Sequence, residues 1–274
     1  WADKINDFHY NIGANLTFVD NEVTKFKGDE ASYSGTTMIK EGYGINTQYI
    51  YIADRIVQTQ ADLDYVQSLV DNPKLDEEGK PINYFKNFKR PELGDVLYKD
   101  MNNNGYLDDD DRVARGHGDT PRFLFNFNLG FEYKGFDFST VLSGTGSYKV
   151  QYTHMRSSYL TFGNQISKEV ADNCWHEGMT NAKYPRLMSN GDSRNTRQST
   201  IWETDKSYFK IRNIQLGYTL PQKWLQTLSL NRVRLFCSLE NFFTFTDYAG
   251  MDPETNKLTY PTMRQASFGL NVSF

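Results

Sequence analysis

Residues 122–133 read RFLFNFNLGFEY, the clearest alternating stretch in the chain. Phe123, Phe125, Phe127, Leu129, Phe131 and Tyr133 fall on one side of a period-2 strand. Arg122, Asn126, Asn128, Gly130 and Glu132 fall on the other, interrupted only by Leu124. Successive strand side chains point to opposite faces, so this strand has a bulky aromatic flank and a small or polar one. Lys134 and Gly135 then make a tight turn, and Phe136, Phe138, Thr140 and Leu142 start a return strand.

The pattern recurs along the chain. Phe8, Tyr10, Ile12, Ala14, Leu16 and Phe18 oppose His9, Asn11, Gly13, Asn15 and Thr17 within 7–19. Ile214, Leu216, Tyr218 and Leu220 oppose Asn213, Gln215, Gly217 and Thr219 within 207–220, which Pro221 ends. Residues 232–245 and 264–274 complete the set, and the last nine residues, ASFGLNVSF, place Phe268, Leu270, Val272 and Phe274 opposite Ser267, Gly269, Asn271 and Ser273. Residues 46–58 read as a shorter, less regular strand, 61–70 as a short helix and 224–230 as a helical turn. Two long polar excursions, about 59–121 and 148–206, separate these elements. Structureless stretches of that length are uncommon unless they have a function.

Soluble sandwiches and barrels also alternate. Two features favour a membrane barrel. The polar flanks are rich in Asn, Gln, Ser, Thr and Gly, which a dry core would leave unsatisfied, and the apolar flanks are bulky from end to end. Connections also alternate, short after Tyr133 and long after Tyr148, as in outer-membrane barrels with short periplasmic turns and long outer loops. The expected fold class is all-β, an antiparallel transmembrane β-barrel segment with long extracellular loops.

Composition agrees. The 274 residues are 38% hydrophobic, with a mean hydropathy of −0.65, and no run approaches the roughly 18 apolar residues of a spanning helix. A barrel strand needs an apolar residue only at every second position. Aromatics reach 15%, with 19 Phe and 18 Tyr, which suits interfacial girdles or sugar-binding surfaces. A net charge of −4 without a basic block argues against nucleic acid as a partner. Cys174 and Cys237 are far apart and read as two unpaired thiols. The opening WADKINDF reads as a turn entering a strand, so the chain is expected to be a C-terminal piece of a longer polypeptide.

One motif carries metal chemistry. Asp100 to Asp111 fits the D-x-[DN]-x-[DN]-G calcium loop. Asp100, Asn102 and Asn104 take the first, third and fifth places, and Gly105 permits the sharp turn. Tyr106 offers a backbone carbonyl, Asp108 a ninth-place oxygen, and Asp111 the twelfth ligand. A structural Ca2+ is expected there, with modest affinity because Asn104 replaces Asp and Asp111 is shorter than Glu; the bland alternative is a solvated acidic turn. Adjacent carboxylates at 108–111 do not make the separated pair of a glycosidase. His9, His117, His154 and His176 lack ligand spacing, and no nucleophile elbow, Walker or dinucleotide motif occurs. The chain is not expected to be an enzyme. The 148–206 excursion holds Tyr148, Tyr152, Tyr159, Trp175, Tyr184 and Trp202 with Arg156, Arg186, Arg194 and Arg197. Among these Trp175, Tyr184, Arg186 and Trp202 are candidates for binding sugar rings or peptide carboxylates; the competing reading is that they pack the loop.

Several strings, in order along nearly the whole chain, resemble the SusC/RagA family of TonB-dependent outer-membrane transporters. They are WADKINDFHYNIGANLTF (1–18), GDVLYKDMNNNGYLDDDDR (94–112), FNFNLGFEYKGFDFS (125–139), NAKYPRL (181–187), SYFKIRNIQLGYTLP (207–221), SLENFFTFTDYAGMDPE (238–254) and the final YP-x-x-R-x-x-x-F-G-L-N-V-x-F. The resemblance implies the C-terminal strands of a plugged barrel of about 22 strands in the outer membrane of a Gram-negative bacterium. It implies a SusD-like surface lipoprotein as lid, TonB acting through the plug, and oligosaccharide or oligopeptide cargo. The plug, the TonB-contact segment and the early strands are absent from this sequence, so the piece must pair with the rest of the barrel in outer-membrane lipid. The alternative is a soluble calcium-binding β-domain acting as a binding or adhesion module.

Overall fold

The fold comes from a computed structural model that describes residues 2–27, 31–116, 120–153, 156, 166–188, 193–226, 230–255, 260 and 262–274. Trp1, His117, His154 and Tyr159, singled out above, lie outside the described residues. The chain divides into two compact units, Trp1–Val19 with Thr120–Tyr148 and Asp205–Phe274, and Asp20–Asp119 with Lys149–Thr204. In chain order the strands are β1 (Ala2–Ile5), β2 (Phe8–Phe18), β3 (Ala31–Ser34), β4 (Thr37–Lys40), β5 (Thr47–Ile50), β6 (Ala53–Ile56), β7 (Val96–Tyr98), β8 (Val113–Arg115), β9 (Phe123–Tyr133), β10 (Phe136–Gly146), β11 (Lys149–Gln151), β12 (Glu203–Asp205), β13 (Tyr208–Thr219), β14 (Arg232–Thr246) and β15 (Gln265–Ser273). The helices are α1 (Gln60–Asp71), α2 (Lys168–Asn173) and α3 (Gln222–Leu225). No described helix is long and apolar enough to cross a membrane, which says nothing of strands.

The first unit is one seven-stranded antiparallel sheet in the order β1-β2-β9-β10-β13-β14-β15. Its hairpins close on residues that tolerate positive φ: Asn6 at 55° between β1 and β2, and Lys134 and Gly135 at 47° and 87° between β9 and β10. The register carries the alternation from strand to strand. Ile12 lies opposite Leu129, Leu129 opposite Thr140, Thr140 opposite Ile214, Ile214 opposite Leu239, and Leu239 opposite Ala266. Directly opposed residues share a face, so this row crosses the middle of one sheet surface. Nearer the hairpin turns the corresponding row runs Phe8, Tyr133, Phe136, Tyr218, Leu235, Leu270. Towards the long connections it runs Leu16, Phe125, Gly144, Phe209, Phe245. Aromatic rows thus flank a largely aliphatic middle. Tyr133 and Phe123 are ten positions apart in β9, about 34 Å along a strand, or about 26 Å of height at a 40° tilt, close to the roughly 25 Å apolar band of an outer-membrane barrel.

Among the described residues, large side chains of that face stand uncovered. Phe18 is 78% exposed, Leu216 51% and Phe268 82%. All buried hydrophobic residues among the described ones belong to the second unit, except Leu225 and Val233. Monomeric proteins in water rarely show an uncovered apolar surface of that extent. The opposite face carries Asn11, Gly130, Ser139, Gln215, Ser238 and Ser267 in one row. The aromatic flank of Phe123–Tyr133 is therefore not tucked into a protein core.

The second unit consists of both inserted segments. It holds a four-stranded sheet, β3-β4-β5-β8, and the pair β6-β7. Its core clusters Tyr51, Val57, Val66, Phe85, Phe88, Val96, Leu97, Tyr98 and Leu107. The helix expected over 61–70 is α1; Thr59 caps it by accepting from the Asp62 N–H, and Asp62 returns the bond in a capping box. Two expectations are corrected. The 46–58 strand is two short strands in different sheets, β5 with β4 and β8, and β6 with β7, because Tyr51 and Ile52 leave the ladder between them. The first excursion accordingly starts at Asp20 and not near residue 59.

Candidate functional site

Two strings from distant parts of the sequence meet in the inserted unit. Asp95, fully buried, accepts from Arg186 (Nε–Oδ1 2.7 Å, Nη2–Oδ2 3.0 Å), from Arg194 (Nη1–Oδ2 3.1 Å) and from Asn195 (Nδ2–Oδ1 3.0 Å). The Glu92 N–H donates to it as well, at 2.9 Å. A buried carboxylate is tolerated only when paired and hydrogen-bonded, and this one is bound from both segments of the unit. Gly94 sits beside it at φ +84°, where an added Cβ would meet the Trp175 ring and, at 2.7 Å, the Cβ of Arg186. The Arg186 N–H donates to the Gly94 carbonyl at 2.8 Å, and the Gly94 N–H to that of Val57 at 2.7 Å. Desolvation alone would lower the Arg186 pKa, but its bonds to Asp95 and Glu92 leave it raised.

The candidate binding residues of the second excursion are gathered here. Tyr184 and Trp202 are buried and stacked, with ring centroids 5.9 Å apart at 14°. The Trp202 indole N–H donates to the Asn195 carbonyl, and the Tyr184 hydroxyl to Glu169 at 3.2 Å. Burial raises the Tyr184 phenol above its ordinary range. Arg186 is committed to Asp95 and Glu92, and Trp175 lies against Gly94. In this arrangement the four hold the inserted unit together, and a ligand stacking on them would first have to displace these contacts.

The 100–111 segment is a tight loop turning at Gly105, φ +95°. Asp100 accepts from the Asn104 and Gly105 N–H groups at 3.2 and 2.9 Å, Asn102 from the Asn104 N–H at 2.9 Å, and Asn104 from the Tyr106 N–H at 3.1 Å. Asp111, fully buried, accepts from the N–H groups of Met101, Asn102 and Asp108. Burial lifts the Asp111 carboxyl above the usual carboxylate range despite those bonds, and the charge of Asp100 adds to the lift. The Asn104 amide donates to Asp108 at 3.0 Å. The sequential Asx turns and the glycine are what a calcium loop needs; each Asp100 oxygen keeps a lone pair after accepting one N–H, whereas Asp111 Oδ1 already accepts two and leaves Oδ2 as its freer oxygen. No group of three His, Cys, Asp or Glu among the described residues is gathered closely enough to hold a metal unaided. Asn and backbone oxygens would have to complete the set.

The polar face of the sheet carries two charged clusters. Arg234 reaches over Gly217 to Asp137 (Nε–Oδ1 2.8 Å). A Cβ at Gly217 would collide with both partners, so glycine in the QLGYT string clears the path. Lys210 is buried and bonds Glu254, which Arg212 and the Tyr208 hydroxyl also bond. Arg212 is the extra residue of β13 against β10, where Val141 pairs with Asn213 and Leu142 with Ile211, and the bulge lets it donate to Ser143 Oγ as well, at 2.6 Å. The segment after β14 is thereby clamped onto β13. Desolvation alone would raise the Glu254 pKa, but the bonds from Lys210, Arg212 and Tyr208 hold it down at about 2. Its folded pKa lies below the ordinary 4.5, so the clamp's contribution is complete above about pH 4.5 and drains away as pH falls towards 2. Limited proteolysis after residue 247 is expected to be flat from pH 8 to 5 and to accelerate only below about pH 4.

Asp95, Asn195, Lys210 and Glu254 were not singled out from sequence. Asp95, Lys210 and Glu254 do lie in resembling strings, in the GD of GDVLYKD, in SYFKIRN and in the final DPE of 238–254.

An open antiparallel sheet with a bare, aromatic-bordered apolar face, a polar reverse face and large insertions between its strands is the architecture of part of an outer-membrane receptor barrel. The chain is homologous over most of its length to the SusC/RagA-family TonB-dependent receptors. It is 26% identical over 276 residues to the TonB-dependent receptor SusC of Bacteroides thetaiotaomicron, covering 98% of this chain and 25% of that receptor. Against Formosa agariphila it is 32% identical over 200 residues to TonB-dependent receptor P3 (66% of this chain, 19% of the receptor) and 27% identical over 299 residues to P39 (97% and 28%). The chain therefore spans between 19% and 28% of the length of these curated relatives. The fold matches the RagAB peptide transporter with a TM-score of 0.67 at 20% identity, over 100% of this chain and 28% of that one. No family profile matches the chain. TonB-dependent receptors are outer-membrane proteins of Gram-negative bacteria, and that is where this chain resides.

Proposed function

We propose that this chain is the C-terminal barrel portion of a TonB-energised importer of glycan or peptide fragments, with no catalytic role. The observation that carries the proposal is the register: six long strands align their apolar residues on one uncovered face and their polar residues on the other. The described sheet ends at β1 and β15, and unpaired edges are not tolerated in lipid. Further strands of the same receptor complete the roughly 22-stranded wall around a plug. The β9–β10 connection is short, and the connections after β2 and β10 carry the inserted segments; short periplasmic turns and long outer loops are the pattern of outer-membrane barrels, which supports reading the inserted unit as extracellular. A SusD-like lipoprotein would close over it, and TonB would act through the plug. The soluble adhesion-module reading would leave the apolar face in water.

The test is purification of the complete receptor with uptake measured in cells. It should require detergent, bring a surface lipoprotein with it, and lose uptake when TonB is removed. Recovery without detergent, or uptake indifferent to TonB, would overturn the reading.

The proposal includes a structural calcium ion in the 100–111 loop, held by Asp100, Asn102, Asn104, the Tyr106 carbonyl, Asp108 and Asp111. Calcium would pin the loop, so cleavage within 100–111 should slow several-fold with calcium relative to chelator. Equal rates would count against the ion.

A further inference from the structure

The inserted unit contains a cavity of ≈ 280 Å³ that none of the residues discussed as candidate binders explains. Its floor is apolar and aromatic, built by Phe85, Phe88, Tyr98 and Leu107, all buried. Lys89, Arg194 and Arg197 also line it, and no carboxylate does among the described residues. Arg194 is already matched by Asp95. Arg197 is different. Its guanidinium lies 3.7 Å above the Phe88 ring and 5.8 Å from that of Tyr51. Its Nε is buried without a hydrogen-bond partner, and among the described residues no carboxylate pairs with it.

A guanidinium stays charged at any accessible pH and presents a planar fork suited to carboxylates. Stacking on Phe88 and Tyr51 fixes its plane. A cation held in place beside an apolar floor, with no carboxylate partner among the described residues, is a half-built recognition site. We infer that this cavity binds the carboxylate of a ligand whose flat or apolar body rests on the floor, with Arg197 as the carboxylate partner and Lys89 at the rim. The volume admits about one residue or one sugar ring. Two sources share this chemistry, the C-terminal carboxylate of a peptide and the carboxylate of a uronate sugar. The inference rests on the importer reading only for the origin of such a ligand, since binding is measurable without transport.

The experiment is calorimetric titration of the complete, purified receptor with four probes. These are a phenylalanine-ended tripeptide as free acid and as C-terminal amide, and trigalacturonate with its methyl ester. One of the two pairs should show the charged form binding at least tenfold tighter, which also identifies the source. Arg197→Met, which keeps the stem over Phe88, should remove that difference, and Arg197→Lys should restore only part of it. Hydrogen-exchange protection at Val96 verifies that both variants keep the fold. Capped and free forms binding within twofold, no binding by any probe, or unchanged discrimination in Arg197→Met would each overturn the inference. Uptake that fails while this discrimination persists would sink the importer reading and leave the site standing.

Discussion

Replacing Asp95 with alanine should cost the inserted unit roughly 3–5 kcal/mol, the usual penalty for stranding a buried charge partner. Asp95 is fully buried and holds Arg186, Arg194 and Asn195 at once. Removing it leaves the two guanidinium groups beside Glu92, whose side chain is 66% exposed and compensates them only weakly. It also frees the backbone around Gly94, where the chain from Val57 and the chain from Arg186 are bonded to one residue. Amide exchange measured on the complete receptor should show protection at residues 94–98 falling by about two to four powers of ten, since each 1.4 kcal/mol is a factor of ten. Glu92→Gln is the control, and it should change protection little, because exposed ion pairs contribute at most about 1 kcal/mol.

Leu129→Arg should be the most harmful single change on the sheet. Leu129 stands in the middle row of the apolar face, between Ile12 and Thr140. A charge at that depth on a lipid-facing barrel surface costs about 2–4 kcal/mol. Asn128→Arg, one position earlier on the opposite face, should stay within about 0.5 kcal/mol, the usual range for surface substitutions. Urea titration of the receptor folded into bilayers measures both. A similar loss in the two variants would mean that the faces do not differ in solvent.

The strands of the sheet were legible because lipid on one side and water on the other write a period of two directly into the sequence. Asp7 to Val19, Arg122 to Tyr133 and Ser207 to Leu220 correspond within two residues to β2, β9 and β13. The hairpin at Lys134-Gly135 was equally plain, since a two-residue turn needs positive φ. β1 was read only as a turn, because four exposed residues carry no pattern. The inserted unit was far less legible. Its strands are three or four residues long, and its cohesion comes from pairings such as Asp95 with Arg194, 99 positions away. No local periodicity encodes contacts at that range. Tyr184, Arg186 and Trp202 were picked out by residue type as binders, but type alone does not separate a ring that stacks on cargo from one that stacks on its neighbour. Arg197 belonged to the same roll of arginines, and only its place over Phe88, beside the cavity, distinguishes it.

The most direct measurement of the two-faced sheet uses single-cysteine spin labels at 127, 129 and 239 and at 126, 128 and 238, with Cys174 and Cys237 replaced, in the receptor reconstituted into bilayers. Labels at Phe127, Leu129 and Leu239 should collide with lipid-dissolved oxygen, while labels at Asn126, Asn128 and Ser238 should respond to a water-soluble nickel chelate or be shielded from both. Oxygen access at the asparagine positions, with the aromatic flank silent, would mean that this sheet does not meet acyl chains.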